Sequence, residues 1–392
     1  MEQKYKNLSL TWFGDVTSIS AEAQYARSLL QPLIEGGAYV KLEPMDSGLP
    51  PADLSSWWVA TLGINTKYQP GFVKINHSKP PKVTANILGG PNILLTNWDT
   101  YNLPEGWRDF INRNHIECIT PGHIINGPGV KVTGLEVNLN EVFPSVTINN
   151  TDSRGAANIV DINSNTVVYG FTGSWNQRSN IQDLITAYTC EFTEKDNVAL
   201  LIKTNGRTPS DANERAQILD LVRKIKGTVN KAGQPPVIVL QDIFSQEAMD
   251  AIINRIDIYV SAARGGQLNT TGLKCLAAGK TCILPSIGIN GALVSRYAKD
   301  YPLVVRGYGV SLEPQVSHPD SNPLDQWGRP DLCGLIQQMR ESFIDHLTKN
   351  PEKAKQSVKL AAKVQKDYSQ EASVDALAKV LAKYSTVQTI KI

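Results

Sequence analysis

Cysteine is scarce and scattered in this chain of 392 residues: Cys118, Cys190, Cys275, Cys282 and Cys333, an odd number with no CxxC pair. That excludes a disulfide-stapled scaffold and a structural zinc site. Five histidines (His77, His115, His123, His318, His346) show no metal-ligand spacing, and no D-x-D motif stands at a strand end, so no tightly bound metal is expected. Long apolar runs are missing as well. No segment approaches the roughly 20 residues that cross a bilayer, and Met1–Asp15 has no stretch apolar enough for a secretory signal. A cytoplasmic protein is expected, in the host cytoplasm were the source a virus. Nor is there an excess of charge: 39 Lys and Arg against 37 Asp and Glu leave a net charge of +2. Evidence for a polyanion partner must therefore be local.

What is present is alternation. In the first half "LSLTWFG" reads as a strand, "SAEAQYARSLLQPLIEGG" as a helix with Ser20 at its N-cap and Gly36-Gly37 as its stop, and "AYVKLEPM" and "NILLTNW" as further strands. "GWRDFINRN" reads as a helix before the short strand "IECIT". After Phe143 the pattern lapses into a segment rich in Asn, Ser, Asp and Gly, the composition of a linker. A second series then runs through "TVVYGFTG", "VALLIKTNG", "PPVIVLQD", "IDIYVSAA" and "TCILPS", each followed or preceded by a helical stretch, and the chain closes in amphipathic helices. This predicts an α/β protein of two domains, each with a parallel sheet covered by helices. The boundaries are 1–148, a linker over 149–165, a second domain over 166–368 and a terminal helix over 369–392. Two doubly wound domains put ligand crevices at the carboxyl ends of both sheets, facing across a cleft.

One stretch points to a ligand. In "SAARGGQLNTTGLKCLAAGK" (Ser261–Lys280) a strand runs into glycines, then Thr-Thr, then an apolar helix. Backbone N–H groups at Arg264, Gly265 and Gly266, a hydroxyl from Thr270 or Thr271, and the helix N-terminus suit a phosphate.

The order of motifs along the whole chain resembles that of retaining GT-B glycosyltransferases of the GT4-like group. "FGDVTSISAEAQYAR" stands where the family has its first glycine-bearing loop and helix, and Thr96–Thr100 stands at its "hxET". "GLEVNLNEVFP" (Gly134–Pro144) matches the segment that ends the first domain. In the second half "YGFTGSWNQRSNIQDLITAYTCEF", "VALLIKTNG", "LQDIFSQEAMDAIINRIDIYVSAARGG" and "QWGRPDLCGLIQQMR" follow in the family's order. The resemblance implies a GT-B fold with an acceptor-binding first domain, a nucleotide-sugar-binding second domain, and a last helix that returns to the first. It implies transfer of a sugar from a UDP- or GDP-linked donor to an acceptor hydroxyl, without a tightly bound cofactor.

The resemblance also assigns residues. Arg178 and Lys203 fall where the family places its phosphate-binding Arg/Lys pair, so both are candidates for stabilising the departing diphosphate. Ser179 replaces the lysine expected after the arginine. The two glutamates of the family's E-x7-E motif fall on Gly266 and Lys274, and both are absent. Lys274 either supplies a positive charge to the diphosphate or is solvated surface. Gly14 permits close backbone approach to the donor, and Asp15 or Ser18 is placed to bind sugar or acceptor hydroxyls. Asp99 is the carboxylate best placed to orient or deprotonate an acceptor, with a helix cap as the alternative; Glu136 is a further acceptor-side candidate.

Acidic residues are missing altogether between Leu54 and Trp98, where Lys67, Lys74, Lys79 and Lys82 occur with Trp57 and Trp58. Within that span "KYQPGFVKINHSKPPK" (Lys67–Lys82) reads as a Pro/Gly-rich basic loop, either solvated or contacting a polyanion. Acceptors of two kinds stay open: a glycan or small molecule, or a hydroxymethylated base in DNA, as in DNA-modifying glycosyltransferases of bacteriophages. A catalytically silent GT-B scaffold is the reading from another class, favoured by the two missing glutamates. Oligomeric state is not legible.

Overall fold

The computed structural model describes residues 4–16, 21–43, 73–77, 92–95, 117–119, 162–204, 212–242, 244–265, 269–297, 304–311 and 326–382. The chain divides into two compact units. One comprises Met1–Asn97, Asn102–Val146 and Lys366–Ile392; the other comprises Trp98–Tyr101 and Thr147–Gln365.

The first unit holds a parallel sheet built from β1 (Ser9–Phe13), β2 (Tyr39–Glu43), β3 (Val73–His77), β4 (Asn92–Leu95) and β5 (Glu117–Ile119) in the order β2-β1-β3-β4-β5. Helix α1 (Ala21–Glu35) connects β1 to β2. It ends in a turn closed by Ala38 N donating to Leu33 O and Gly37 N to Ile34 O, with Gly37 at φ 90°, a conformation that favours glycine. Pro32 lies inside α1 and has no N–H to give Ser28 O. That carbonyl is instead taken by the Gln370 side chain at 3.2 Å. Gln370 opens the last helix of the described chain (Gln370–Ala382), which packs on α1 and completes this unit's core with Val374, Leu377, Val380 and Leu381 against Leu29, Leu30 and Leu33. Tyr5 and Lys4 fasten the same helix through Asp375, at 2.6 Å and 2.8 Å.

The basic-loop reading needs one correction here. Val73–His77 is an internal strand, pairing with β1 on one side and β4 on the other, so Lys74 sits opposite Thr11 and Asn92. The apolar-polar alternation of V-K-I-N-H carries it, and the prolines and lysines on either side hid that period of two. Lys67, Lys79 and Lys82 lie outside the described residues, as does the expected helix "GWRDFINRN".

In the second unit the main sheet comprises β6 (Val167–Thr172), β7 (Val198–Lys203), β8 (Val237–Leu240), β9 (Ile258–Val260), β10 (Thr281–Pro285) and β11 (Val304–Val305). All its pairings are parallel and its order is β11-β10-β9-β6-β7-β8. The connecting helices are α2 (Ile181–Glu191), α3 (Ala212–Thr228), α4 (Gln246–Arg255), α5 (Thr270–Ala277) and α6 (Gly288–Arg296). A two-stranded antiparallel ribbon, β12 (Gly307–Ser311) with β13 (Gln326–Pro330), precedes α7 (Leu332–Leu347) and α8 (Pro351–Asp367), and the Gln370–Ala382 helix of the first unit is α9. Strands β6 and β7 are buried along almost every residue, as the unbroken apolar runs of a two-sided parallel sheet require. Beneath them Tyr169, Tyr188, Phe192 and Phe343 form a chain of tilted and edge-on rings 5.3–6.1 Å apart. Arg340 lies over Phe192 and pairs with Glu191, closing the edge of that cluster.

Counted from β6, the order is 3-2-1-4-5-6, which reverses direction between β6 and β9. The first unit's sheet reverses between β1 and β3. In doubly wound sheets the strand-end loops diverge at such points and leave a crevice for a ligand. Close strand packing at the second switch depends on Gly170: a Cβ there would run into Cγ1 and Cδ1 of Ile256 and come within 2.8 Å of its Cγ2, in a fully buried side chain. Gly170→Ala is expected to cost about 1–3 kcal/mol by overpacking, read from the urea midpoint, with part of the loss recovered in the double variant Gly170→Ala, Ile256→Val.

Candidate functional site

Three segments meet at the carboxyl end of the second sheet: the loop after β6 (173–180), the loop after β9 (261–265) and strand β13. The two loops lack regular backbone partners, and the chain bonds them to each other and to the ribbon strand β13. Arg264 N donates to Arg178 O at 2.8 Å. Asn180 Nδ2 donates to Ala262 O at 3.0 Å and to Asp183 Oδ2 at 2.9 Å. Gly328 N donates to Arg264 O at 3.1 Å. Arg329 then grips Asp183 with two parallel bonds, Nε to Oδ2 at 2.9 Å and Nη2 to Oδ1 at 3.1 Å. Asp183 is buried in the first turn of α2, where the helix N-terminus also favours a carboxylate. Asn180, at the N-cap, adopts a left-handed φ of 52° that asparagine tolerates better than most residues. The result is a closed ring of hydrogen bonds around the switch point.

Two of the predicted cations sit on this frame. Arg178 is half-buried in the β6 loop. Lys203 ends β7 and is buried, its residue 6% exposed. Its ammonium donates to Thr204 O at 3.1 Å and lies 5.7 Å from the centre of the Phe244 ring. Burial pulls its pKa down to about 8, against the nearby Asp242 charge, which pushes it up. Gly173 N donates to Lys203 O at 3.0 Å, joining the β6 loop to the end of β7.

The glycine-threonine segment is placed as a helix mouth. Asn269 is the N-cap of α5 and accepts from Gly272 N at 2.8 Å. Its side chain is itself held by Tyr259 OH at 2.7 Å and by Asn290 at 3.0 Å. This satisfies one first-turn N–H and leaves those of Thr270 and Thr271 without intrahelical acceptors. Thr271 Oγ1 shares a hydrogen bond with Thr172 Oγ1 at the end of β6. Gly265 is buried beside this mouth, and Gly266 lies outside the described residues.

Lys274 departs from the phosphate reading. It pairs with buried Asp250 on α4 at 3.4 Å, so its charge is engaged in the contact between α4 and α5. Neither of the two alternatives read from sequence, a phosphate contact or a solvated surface, anticipated an internal partner one helix away.

At the first unit's switch point, Gly14 is buried directly after β1 and Asp15 is half-buried behind it. Arg27 of α1 donates to Val16 O at 2.8 Å and holds this loop down. Ser18, Trp57, Trp58, Asp99 and Glu136 lie outside the described residues, as does the side chain of Lys74. Asp183, Arg329 and Trp327 were not singled out from sequence. Asp183 three residues after Asn180 is a helix-start spacing that would have found one of them.

Among the described residues no group of three or more His, Cys, Asp or Glu gathers to hold a metal, and no helix is long and apolar enough to cross a membrane. Among the described residues Cys190, Cys275, Cys282 and Cys333 are free thiols, with Cys275 and Cys282 buried and their pKa pushed up by that burial.

No protein-family model matches the chain, and no curated protein matches it in sequence. Solved structures do match. Sucrose-phosphate synthase from Thermosynechococcus elongatus superposes with a TM-score of 0.61 at 12% identity, over 96% of this chain and 98% of its own. A glycosyltransferase from Rickettsia africae gives 0.61 at 10%, over 96% and 99%. A UDP-forming α,α-trehalose-phosphate synthase from Burkholderia xenovorans gives 0.57 at 9%, over 99% and 100%. The chain has the GT-B fold of these glycosyltransferases.

Lys203 carries a stability prediction. Its folded pKa lies below its unfolded value of 10.5, so between about pH 8 and 10.5 the unfolded state binds more protons and stability rises with pH. The isosteric Lys203→Met is therefore expected to melt above the wild type at pH 7. That advantage should shrink as pH rises from 8 towards 10.5, as read by thermal denaturation across the range.

Proposed function

We propose that the protein is a retaining glycosyltransferase that moves a sugar from a UDP- or GDP-sugar to an acceptor hydroxyl. The observation that supports this is that Arg178, in the loop after β6, and Lys203, at the end of the adjacent parallel strand β7, both lie at the carboxyl edge of the sheet in a GT-B second domain. Neighbours of the same fold include a synthase described as UDP-forming, which supports a nucleotide-diphosphate donor.

As the bond from the anomeric carbon to the phosphate oxygen lengthens, negative charge grows on the departing diphosphate. Arg178, Lys203 and the mouth of α5 meet that charge as fixed donors, needing little rearrangement at the moment of reaction. The acceptor hydroxyl attacks from the side the diphosphate leaves, and its proton passes to a carboxylate; Asp15 and Asp99 are the candidates. The acceptor itself is a glycan or small molecule in this reading. With β3 internal to its sheet, no observation favours DNA over these.

A silent GT-B binding protein is the second reading. It is favoured by the loss of both glutamates and by the engagement of Lys274 with Asp250. Turnover separates the two: a panel of nucleotide sugars assayed for transfer and for slow hydrolysis shows release of the nucleoside diphosphate under the first reading and binding alone under the second.

Binding of a diphosphate beside Lys203 favours the charged lysine. Donor affinity is therefore expected to fall as pH is raised through about 8, with proton uptake on binding in calorimetry. In Lys203→Met the affinity should drop by about tenfold or more at pH 7, and this pH dependence should vanish. A wild-type affinity that stays flat between pH 7 and 10 would count against Lys203 as a phosphate contact.

A further inference from the structure

The β12–β13 ribbon is antiparallel and stands apart from the main sheet, yet it lies against the switch point. Its Trp327 is 2% exposed. Among the described residues the indole Nε1 of Trp327 has no hydrogen-bond partner, so packing alone holds the ring. What the ring offers is its face, and the Arg264 guanidinium lies over it, 5.1 Å from the centroid. Two further links fix the pair. Gly328, next to Trp327, donates its N–H to Arg264 O, and Arg329, two residues on, is forked to Asp183. Ile287 fills the space against Gly307 and Gly328, where a Cβ at Gly328 would also come within 3.0 Å of Arg264 O.

Arg264 is thus set on a rigid aromatic shelf, and its N–H is bonded to the carbonyl of Arg178. Stacking engages the face of a guanidinium, whereas a phosphate is bound by its edge, so the two contacts do not compete. A lysine would keep the cation–π attraction of such a shelf but not a planar fork held by it. We propose that Arg264 is a third cation of the donor site, contacting the diphosphate beside Arg178 and Lys203, and that Trp327 is the positioning residue that presents it. This rests on the donor site proposed above. It also supplies a positive charge on the α5 side of the site, where Lys274 is turned to Asp250.

The experiment measures affinities of the full chain for uridine, UMP and UDP, and for the guanosine series, by calorimetry at fixed ionic strength. Wild type, Arg264→Gln, Arg264→Lys, Trp327→Leu and Trp327→Phe are compared. Arg264→Gln is expected to weaken UDP or GDP binding by about tenfold or more while leaving the nucleoside within about twofold. Arg264→Lys should fall between. Trp327→Leu should reproduce that diphosphate-selective loss and Trp327→Phe, which keeps an aromatic face, should restore most of it. A merely structural role for the pair would lower all three ligands together. That parallel loss, or unchanged UDP and GDP binding in Arg264→Gln, overturns the proposal. Should Trp327→Leu fail to fold by melting, the two Arg264 variants and Trp327→Phe decide the matter. A wild type that binds neither diphosphate overturns the donor site itself, and this inference with it.

Discussion

The carboxylate of Asp183 is the constraint on which the second unit's site depends. It accepts from Asn180 and twice from Arg329, so one buried group joins the β6 loop, the start of α2 and the antiparallel ribbon. A buried carboxylate without such partners would cost several kcal/mol; with them it becomes the point that fixes three segments distant in sequence. Loops at a switch point are otherwise the least constrained backbone in a doubly wound sheet, because their neighbours diverge. Here the divergence is bridged by side chains and by two backbone bonds, and Arg178 and Arg264 are carried on the bridge.

Legibility in the sequence followed the range of the interactions. Strands β6 to β10 and helices α2 to α5 were readable because each is encoded locally: an apolar run, a turn, then a periodic helix. Arg178 and Lys203 were singled out through the family resemblance; the fold puts Lys203 at the end of β7 and Arg178 in the loop after β6. Strand β3 was missed since prolines, glycines and lysines around Val73–His77 masked a five-residue alternation. The ribbon was missed because its strands are separated by a long connection, which leaves no hairpin signal. Asp183 and Arg329 lie 146 residues apart, and nothing local to either one announces the other. Lys274 shows the reverse problem: its position in the helix was clear, but its partner Asp250 sits on another helix, and charge alone did not say which way it would turn.

The two glutamates missing from the E-x7-E pattern change the character of the α5 mouth. In the described structure that mouth offers backbone N–H groups, threonine hydroxyls and an asparagine cap tied to Tyr259 and Asn290. These are groups suited to an anion, whereas a glutamate would have suited a sugar hydroxyl. Under the donor reading proposed above, that mouth suits the charged middle of a donor better than its polyol ends.

The bond from Gln370 to Ser28, on the carbonyl that Pro32 leaves open, has a consequence for synthesis. The first unit is discontinuous: its sheet and α1 precede the second unit in sequence, while α9 follows it. Until α9 is made, Leu29, Leu30 and Leu33 lack the part of their cover that it supplies, and Ser28 O lacks the Gln370 donor. The second unit, encoded almost without interruption in between, is complete before the first. The first unit therefore cannot close before the segment that follows the second has been made.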